Sequence, residues 1–194
     1  MKKLLYVDCC IRKDSSRTKL LGDYFLSKLD KNEYEVDYLS LMDLDLMYLN
    51  TKSLEERDKL ILEGKLNHPR FNYAHQLRGA DKIVIASPFY DLSIPALLKV
   101  YIENCTVDGI TFKSTAKGLI GLCKADHLLY IVTRGGLMEG SPLEMGTSYL
   151  AGICKFLGID RFSYVYADGL DMPIDINKAL DEARLKIDLE LKSL

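Results

Sequence analysis

Three short, unbroken apolar runs constrain this chain more than any other feature: Leu4 to Val7 (LLYV), Ile83 to Ala86 (IVIA) and His127 to Thr133 (HLLYIVT). Such runs lack the two-residue alternation of a half-exposed strand and fit strands covered on both faces. Covering both faces takes a layer of helices on each side of the sheet. The sequence between the runs supplies those helices. From Arg17 to Leu29, the residues Leu20, Leu21, Tyr24, Phe25 and Leu29 recur at helical spacing. From Ser53 to Gly64, Ser53 and Glu56 stand three apart as in a capping box, and a glycine closes the segment. Pro95 stands where it can occupy the first turn of a helix reaching Val107. Glu144 to Leu157, closed by Gly158, and the charged segment Ile176 to Leu191 complete the helices. Two further strands are expected, Glu35 to Leu41 and Phe162 to Tyr166.

Strands therefore alternate with helices from end to end. This implies an α/β fold: a three-layer α/β/α arrangement around a five-stranded parallel sheet. Right-handed crossovers leave few topologies, and the strand order 2-1-3-4-5 fits five strands. No repeat or long linker divides the chain, so one domain is expected over residues 1–194, with 46–76 and 112–125 as inserted segments. At 48% hydrophobic and 28% charged, the chain is not of disordered composition. A net charge of −2 gives no reason to expect nucleic acid or an anionic membrane as partner. Asp8 interrupts the first apolar run too early for a signal peptide, and the cytoplasm is the expected location. The five cysteines form no CxxC pair and no zinc spacing with the three histidines, so reduced thiols and no metal site are expected.

In a doubly wound sheet, ligands bind beyond the carboxyl ends of the strands, where the strand order reverses. The loops after the first, third and fourth strands should meet there, and their compositions are unusual. The first ends in Ser15-Ser16-Arg17-Thr18 at a helix start, where free amides, hydroxyls and a guanidinium suit a phosphate. A serine there can equally be an ordinary N-cap. The second, Ser87 to Pro95, brackets Phe89, Tyr90 and Asp91 between prolines and can offer main-chain groups to the edge of a flat heterocycle. It can also be a tight connection with buried aromatics. The third, Thr133-Arg134-Gly135-Gly136, allows backbone to approach a ligand closely. The first loop holds neither GxxxxGK[ST] nor GxGxxG, so no P-loop or dinucleotide fingerprint is present.

Together these loops resemble the flavodoxin-like family of FMN-dependent NAD(P)H:quinone oxidoreductases and azoreductases. The resemblance rests on Pro88, Phe89, Tyr90, Leu98, Lys99, Tyr101, Ile102, Gly109, Thr111, Phe112 and the TRGG of Thr133 to Gly136. Gly146-Thr147, Tyr149-Leu150 and Phe156 to Ile159 extend it into the last core helix. It implies that Ser16, Arg17 and Thr18 hold the FMN phosphate, with Cys10 beside them. It further implies that Pro88, Phe89, Tyr90, Asp91 and Leu92 lie along the flavin ring, and that Thr133, Arg134, Gly135 and Gly136 border its pyrimidine side. A homodimer completes the pocket in this family. Two positions depart from its pattern: Cys9-Cys10 stand where many members carry serine, and Asp91 where many carry asparagine.

The implied reaction is two-electron hydride transfer in a ping-pong cycle. NADH or NADPH is the donor, and a quinone, azo compound or nitroaromatic is the acceptor. The flavin carries the chemistry, and Tyr90 is the candidate side chain for hydrogen-bonding or protonating the acceptor. An FMN-binding electron carrier and a non-catalytic redox or nucleotide sensor share the fold. Carriers of that kind are usually more acidic than this chain. His68, His75 and His127 are scattered and read as surface or core histidines rather than catalytic ones.

Overall fold

A computed structural model describes residues 1–194. The elements run β1 (Lys2–Asp8), α1 (Arg17–Lys28), β2 (Tyr34–Ser40), α2 (Thr51–Leu62), α3 (Asn72–Gly79), β3 (Lys82–Ala86), α4 (Ala96–Cys105), β4 (Phe112–Thr115), β5 (Gly118–Gly121), β6 (His127–Thr133), α5 (Gly146–Leu157), β7 (Arg161–Ala167) and α6 (Ile176–Leu191). The main sheet has the order β2-β1-β3-β6-β7 with every pairing parallel. Numbered within that sheet, this is the expected 2-1-3-4-5.

The pleat explains the unbroken apolar runs. Alternate residues of one strand feed opposite faces, so each run supplies two cores. Leu5, Ile83 and Leu128 stand in register and face a core shared with α3, α4 and α5. Their neighbours Leu4, Val84 and Leu129 face a second core against Leu21 and Phe25 of α1 and Leu180, Ala183 and Ile187 of α6. Truncating any of these buried leucines or isoleucines to alanine removes about 2–5 kcal/mol.

Local details differ from the sequence reading. The N-cap of α2 is Asn50, and Ser53 is its N3 partner in the capping box, each side chain meeting the other's backbone amide. Pro95 is the N-cap of α4 rather than part of its first turn, because its ψ of 149° is extended. The inserted segment 112–125 contains the antiparallel hairpin β4–β5. A Cβ on Gly121 would fall 2.1 Å from the Gly158 amide nitrogen. Gly158 itself ends α5 in the left-handed region, at φ +79°. The hairpin can sit against that helix end only because both residues are glycine. All five cysteines are free, and no helix is long and apolar enough to cross a membrane.

His127 opens β6 at the amino end of the sheet. Its Nε2 lies 2.7 Å from Ser163 Oγ, and Ser163 donates to Glu190 at 2.8 Å, tying β6 and β7 to α6. Burial, assisted by Arg161 and Lys82, pulls its pKa from 6.5 to about 4. The unfolded chain therefore binds a proton near pH 6.5 that the folded chain refuses until about pH 4. The His127 contribution to stability is complete above that window and lost progressively as pH falls through it. Urea denaturation at pH 7 and pH 5 should show a loss that His127→Gln reduces by about 2 kcal/mol. An equal loss in the variant would assign the effect to other groups.

Candidate functional site

The loops at the carboxyl end of the sheet are built by backbone pairing. Asp8 closes β1 and anchors the first loop: its Oδ1 accepts from the Cys10 amide at 2.7 Å, and its Oδ2 accepts from the Tyr38 hydroxyl of β2. The adjacent thiols then go to opposite sides of the sheet, Cys9 into the α3–α5 core and Cys10 into the α1–α6 core. Burial pushes Cys9 up to about 12, so it stays a neutral thiol. Beyond them, Ser16 caps α1 by accepting from the Lys19 amide at 3.3 Å. The N-cap reading is thus satisfied, yet the hydroxyl proton of Ser16 remains free to donate. Thr18 shares a 2.6 Å hydrogen bond with Thr133, which fastens α1 to the loop after β6.

The second loop runs beside β6, with Ser87 and Phe89 amides donating to Ile131 and Thr133 at 3.0 and 3.1 Å. Tyr90 and Ser93 exchange both backbone hydrogen bonds at 3.0 Å, so Asp91 and Leu92 form a two-residue turn. Both have positive φ, +48° and +68°. Aspartate tolerates that region, but leucine is strained there. The turn persists because the Leu92 carbonyl accepts from the Met145 amide at 3.0 Å, just ahead of α5.

The third loop pairs with the loop after β7. Arg134 donates to Ala167, Leu170 to Arg134, Asp171 to Gly135 and Gly169 to Gly136, all between 2.9 and 3.1 Å. Within this double loop the Arg134 guanidinium is buried. It meets Glu139 at 3.1 Å, Asp168 at 3.2 Å and Glu144 at 3.5 Å, and lies 5.1–6.0 Å from the ring centres of Phe89, Tyr164 and Tyr166. Burial alone would lower its pKa, but the carboxylates outweigh it and hold the group charged. Asp168 also accepts from the Met138 and Glu139 amides at 2.8 Å each.

These loops enclose a polar cavity of about 220 Å³. Of the residues expected from sequence, Ser16, Arg17, Thr18, Pro88, Phe89, Tyr90, Thr133, Arg134 and Gly135 line it. Arg134 does so with its charge already matched by acids, not as a free cation. Tyr90 also lines an adjoining apolar cleft of about 600 Å³, where Asp91 lies with Ile11, Ile94, Leu97 and Tyr149. Cys10, Leu92 and Gly136 line neither space. For Cys10 the reason is that its sulfur is drawn 3.6 Å from the Ala86 carbonyl inside the core. Leu92 is exposed at the turn, and Gly136 is taken up in pairing with Gly169. Ser15, read with the helix-start stretch, also stands in the wall, and sequence reading missed Arg12, Leu170 and Asp171 there. Arg12 stands three residues ahead of Ser15 in the same loop. Leu170 and Asp171 come from the loop after the fifth strand of the main sheet, which the switch-point rule does not single out. A larger cavity of about 670 Å³, beside Met47, Leu60, Arg70 and Tyr73, shares no residue with this site.

Two substitutions test this construction. Arg134→Leu leaves Asp168 and Glu144 buried without their cation and should cost about 3–5 kcal/mol in chemical denaturation; a loss below about 1 kcal/mol would show that the acids relax to solvent. Leu92→Gly should stabilise the fold by about 1 kcal/mol through relief of the positive φ, and a destabilised variant would mean that the leucine side chain contributes more than the strain.

Comparison with known proteins adds an independent line. The family described as flavodoxin-like fold matches residues 2–191. A Clostridium beijerinckii protein named FMN-dependent NADH:quinone oxidoreductase is 36% identical over 187 residues, covering 94% of each chain. A Clostridium perfringens protein of the same name is 37% identical over 186 residues, again covering 94% of each. Among solved structures, an azoreductase from Bacillus anthracis superposes with a TM-score of 0.89 at 24% identity over the whole of both chains. An FMN-dependent NADH-azoreductase from the same species, in complex with FMN, gives 0.87 at 24% identity, covering 100% of this chain and 99% of that one. At such identity these structures speak for the fold.

Proposed function

The chain belongs to the flavodoxin-like fold family, and from that premise we propose that it is an FMN-dependent NADH:quinone oxidoreductase that also reduces azo compounds and nitroaromatics. One observation carries this reading: at Tyr90, a polar cavity at the start of α1 adjoins an apolar cleft. That junction suits a ligand with an anionic end and a flat heterocyclic end. The full-length relatives of this name support the cofactor and the donor.

The residues present fit FMN. Ser16 and Thr18 bring hydroxyls, Arg17 a guanidinium and the start of α1 its partial positive charge to the phosphate. Gly135 has no Cβ to crowd the cavity. Pro88, Phe89, Tyr90 and Asp91 would line the ring, and Thr133, Arg134 and Gly135 would border its pyrimidine side. Bound FMN would supply the two-electron chemistry, taking a hydride from the donor and yielding it to the acceptor. The protein contributes orientation and exclusion of water. The ladder between the loops after β6 and β7 would keep the wall at the pyrimidine edge rigid, and Tyr90 would offer its hydroxyl to the acceptor. NADH and the acceptor use the same cleft in turn. A second copy of the chain closes that cleft: Ile11 in its wall is exposed, as are Leu92, next to Asp91, and Met145, hydrogen-bonded to Leu92. The working unit is a cytoplasmic homodimer.

The purified protein, given FMN and freed of excess, should retain a flavin spectrum that NADH bleaches and a quinone restores. Initial rates with both substrates varied should give parallel double-reciprocal lines. Intersecting lines would refute alternate use of one cleft. Retained flavin that NADH leaves oxidised would turn the reading to an electron carrier.

A further inference from the structure

The polar cavity has a single carboxylate in its wall, that of Asp171. The loop after β7 brings it there, held by its amide on the Gly135 carbonyl at 3.0 Å. Its Oδ1 accepts from Arg17 Nη1 at 2.8 Å, while the same nitrogen donates to the Leu170 carbonyl at 2.7 Å. Its Oδ2 lies so near the glycine loop that a Cβ on Gly135 would come within 2.4 Å of it. The carboxylate therefore spans from the start of α1 to the loop after β6.

Its charge bears on the cavity. Of the three arginines in the wall, Arg134 is matched by Glu139, Glu144 and Asp168, and Arg17 is held by Asp171. Arg12 has no ion-pair partner. A phosphate monoester carries between one and two negative charges near neutral pH. Asp171 opposes such a group twice: it competes for the Arg17 guanidinium and adds a negative charge to the wall. Its side chain is 75% exposed, and its backbone, not its carboxylate, secures the loop. An exposed pair of this kind contributes little to folding.

We propose that Asp171 sets the affinity and selectivity of the phosphate subsite, its carboxylate standing in for the flavin phosphate on Arg17 and thereby weakening FMN binding relative to riboflavin. This rests on the reading of the cavity as an FMN phosphate site.

The test is a titration of the flavin-free full chain with FMN and with riboflavin, followed by flavin fluorescence, for the wild type, Asp171→Asn and Asp171→Ala. Both variants should bind FMN about three- to tenfold more tightly, with riboflavin unchanged within about twofold and the gain shrinking in high salt. Unchanged FMN binding would overturn the proposal, and weaker binding would overturn it by making Asp171 an orienting partner of Arg17. Equal tightening of both flavins would overturn it too, since the effect would not act at the phosphate. If wild type and both variants bind neither flavin, the FMN reading itself falls; if wild type binds FMN and the variants do not differ from it, only the role of Asp171 does.

Discussion

The site depends on one buried cation. Arg134 sits where the loops after β6 and β7 run side by side, and its guanidinium is surrounded by Asp168, Glu139 and Glu144. Without that charge Asp168 and Glu144 would be left buried and unpaired, and without Asp168 the amides of Met138 and Glu139 would lose their acceptor. The arginine also lies against Phe89, so the second loop is packed on the same group. One side chain thus fixes the relative positions of three loops. A ligand contacting their backbones meets a surface already ordered, which lowers the entropy cost of binding.

Strain accumulates at the same end of the sheet. Asp91 and Leu92 adopt left-handed backbone beside the cavity, where glycine or asparagine would be easier residues. The cost is borne by hydrogen bonds on both sides of the turn, from Tyr90 to Ser93 and from Met145 to Leu92. Outlying backbone of this kind tends to cluster where a binding surface must have one shape. The amino end of the sheet is different. There His127, Ser163, Glu190 and Arg161 bind strands to the closing helix.

Much of this was legible beforehand. The unbroken apolar runs implied a sheet buried on both faces, and the alternation of runs with amphipathic segments implied parallel order. β6 and α6 fall at the expected residues. Ser16, Arg17, Thr18, Pro88, Phe89, Tyr90 and the start of the TRGG loop gather at one cavity because topology places those loops together. What stayed hidden depends on side-chain direction and on partners distant in sequence. Cys10 follows Cys9 in the chain but packs into a different core, the two residues leaving the end of β1 toward opposite faces of the sheet. Asp171 lies 154 residues from the arginine it contacts, a pairing that no local spacing encodes.

Short-range order was therefore determined by the sequence itself: period, caps, prolines and glycines act within a few residues and can be read in line. Helix α1 from Arg17 and the Gly158 stop of α5 are of that kind. Tertiary structure alone decided which charges are spent and which are free. Arg134 and Arg17 look alike in the chain as cations beside small polar residues. Folding encloses the first among three acids and leaves the second at a cavity, held by one exposed carboxylate. The physical reason is that an ion's role follows from its solvation and its nearest opposite charge, and both are set only when remote loops meet.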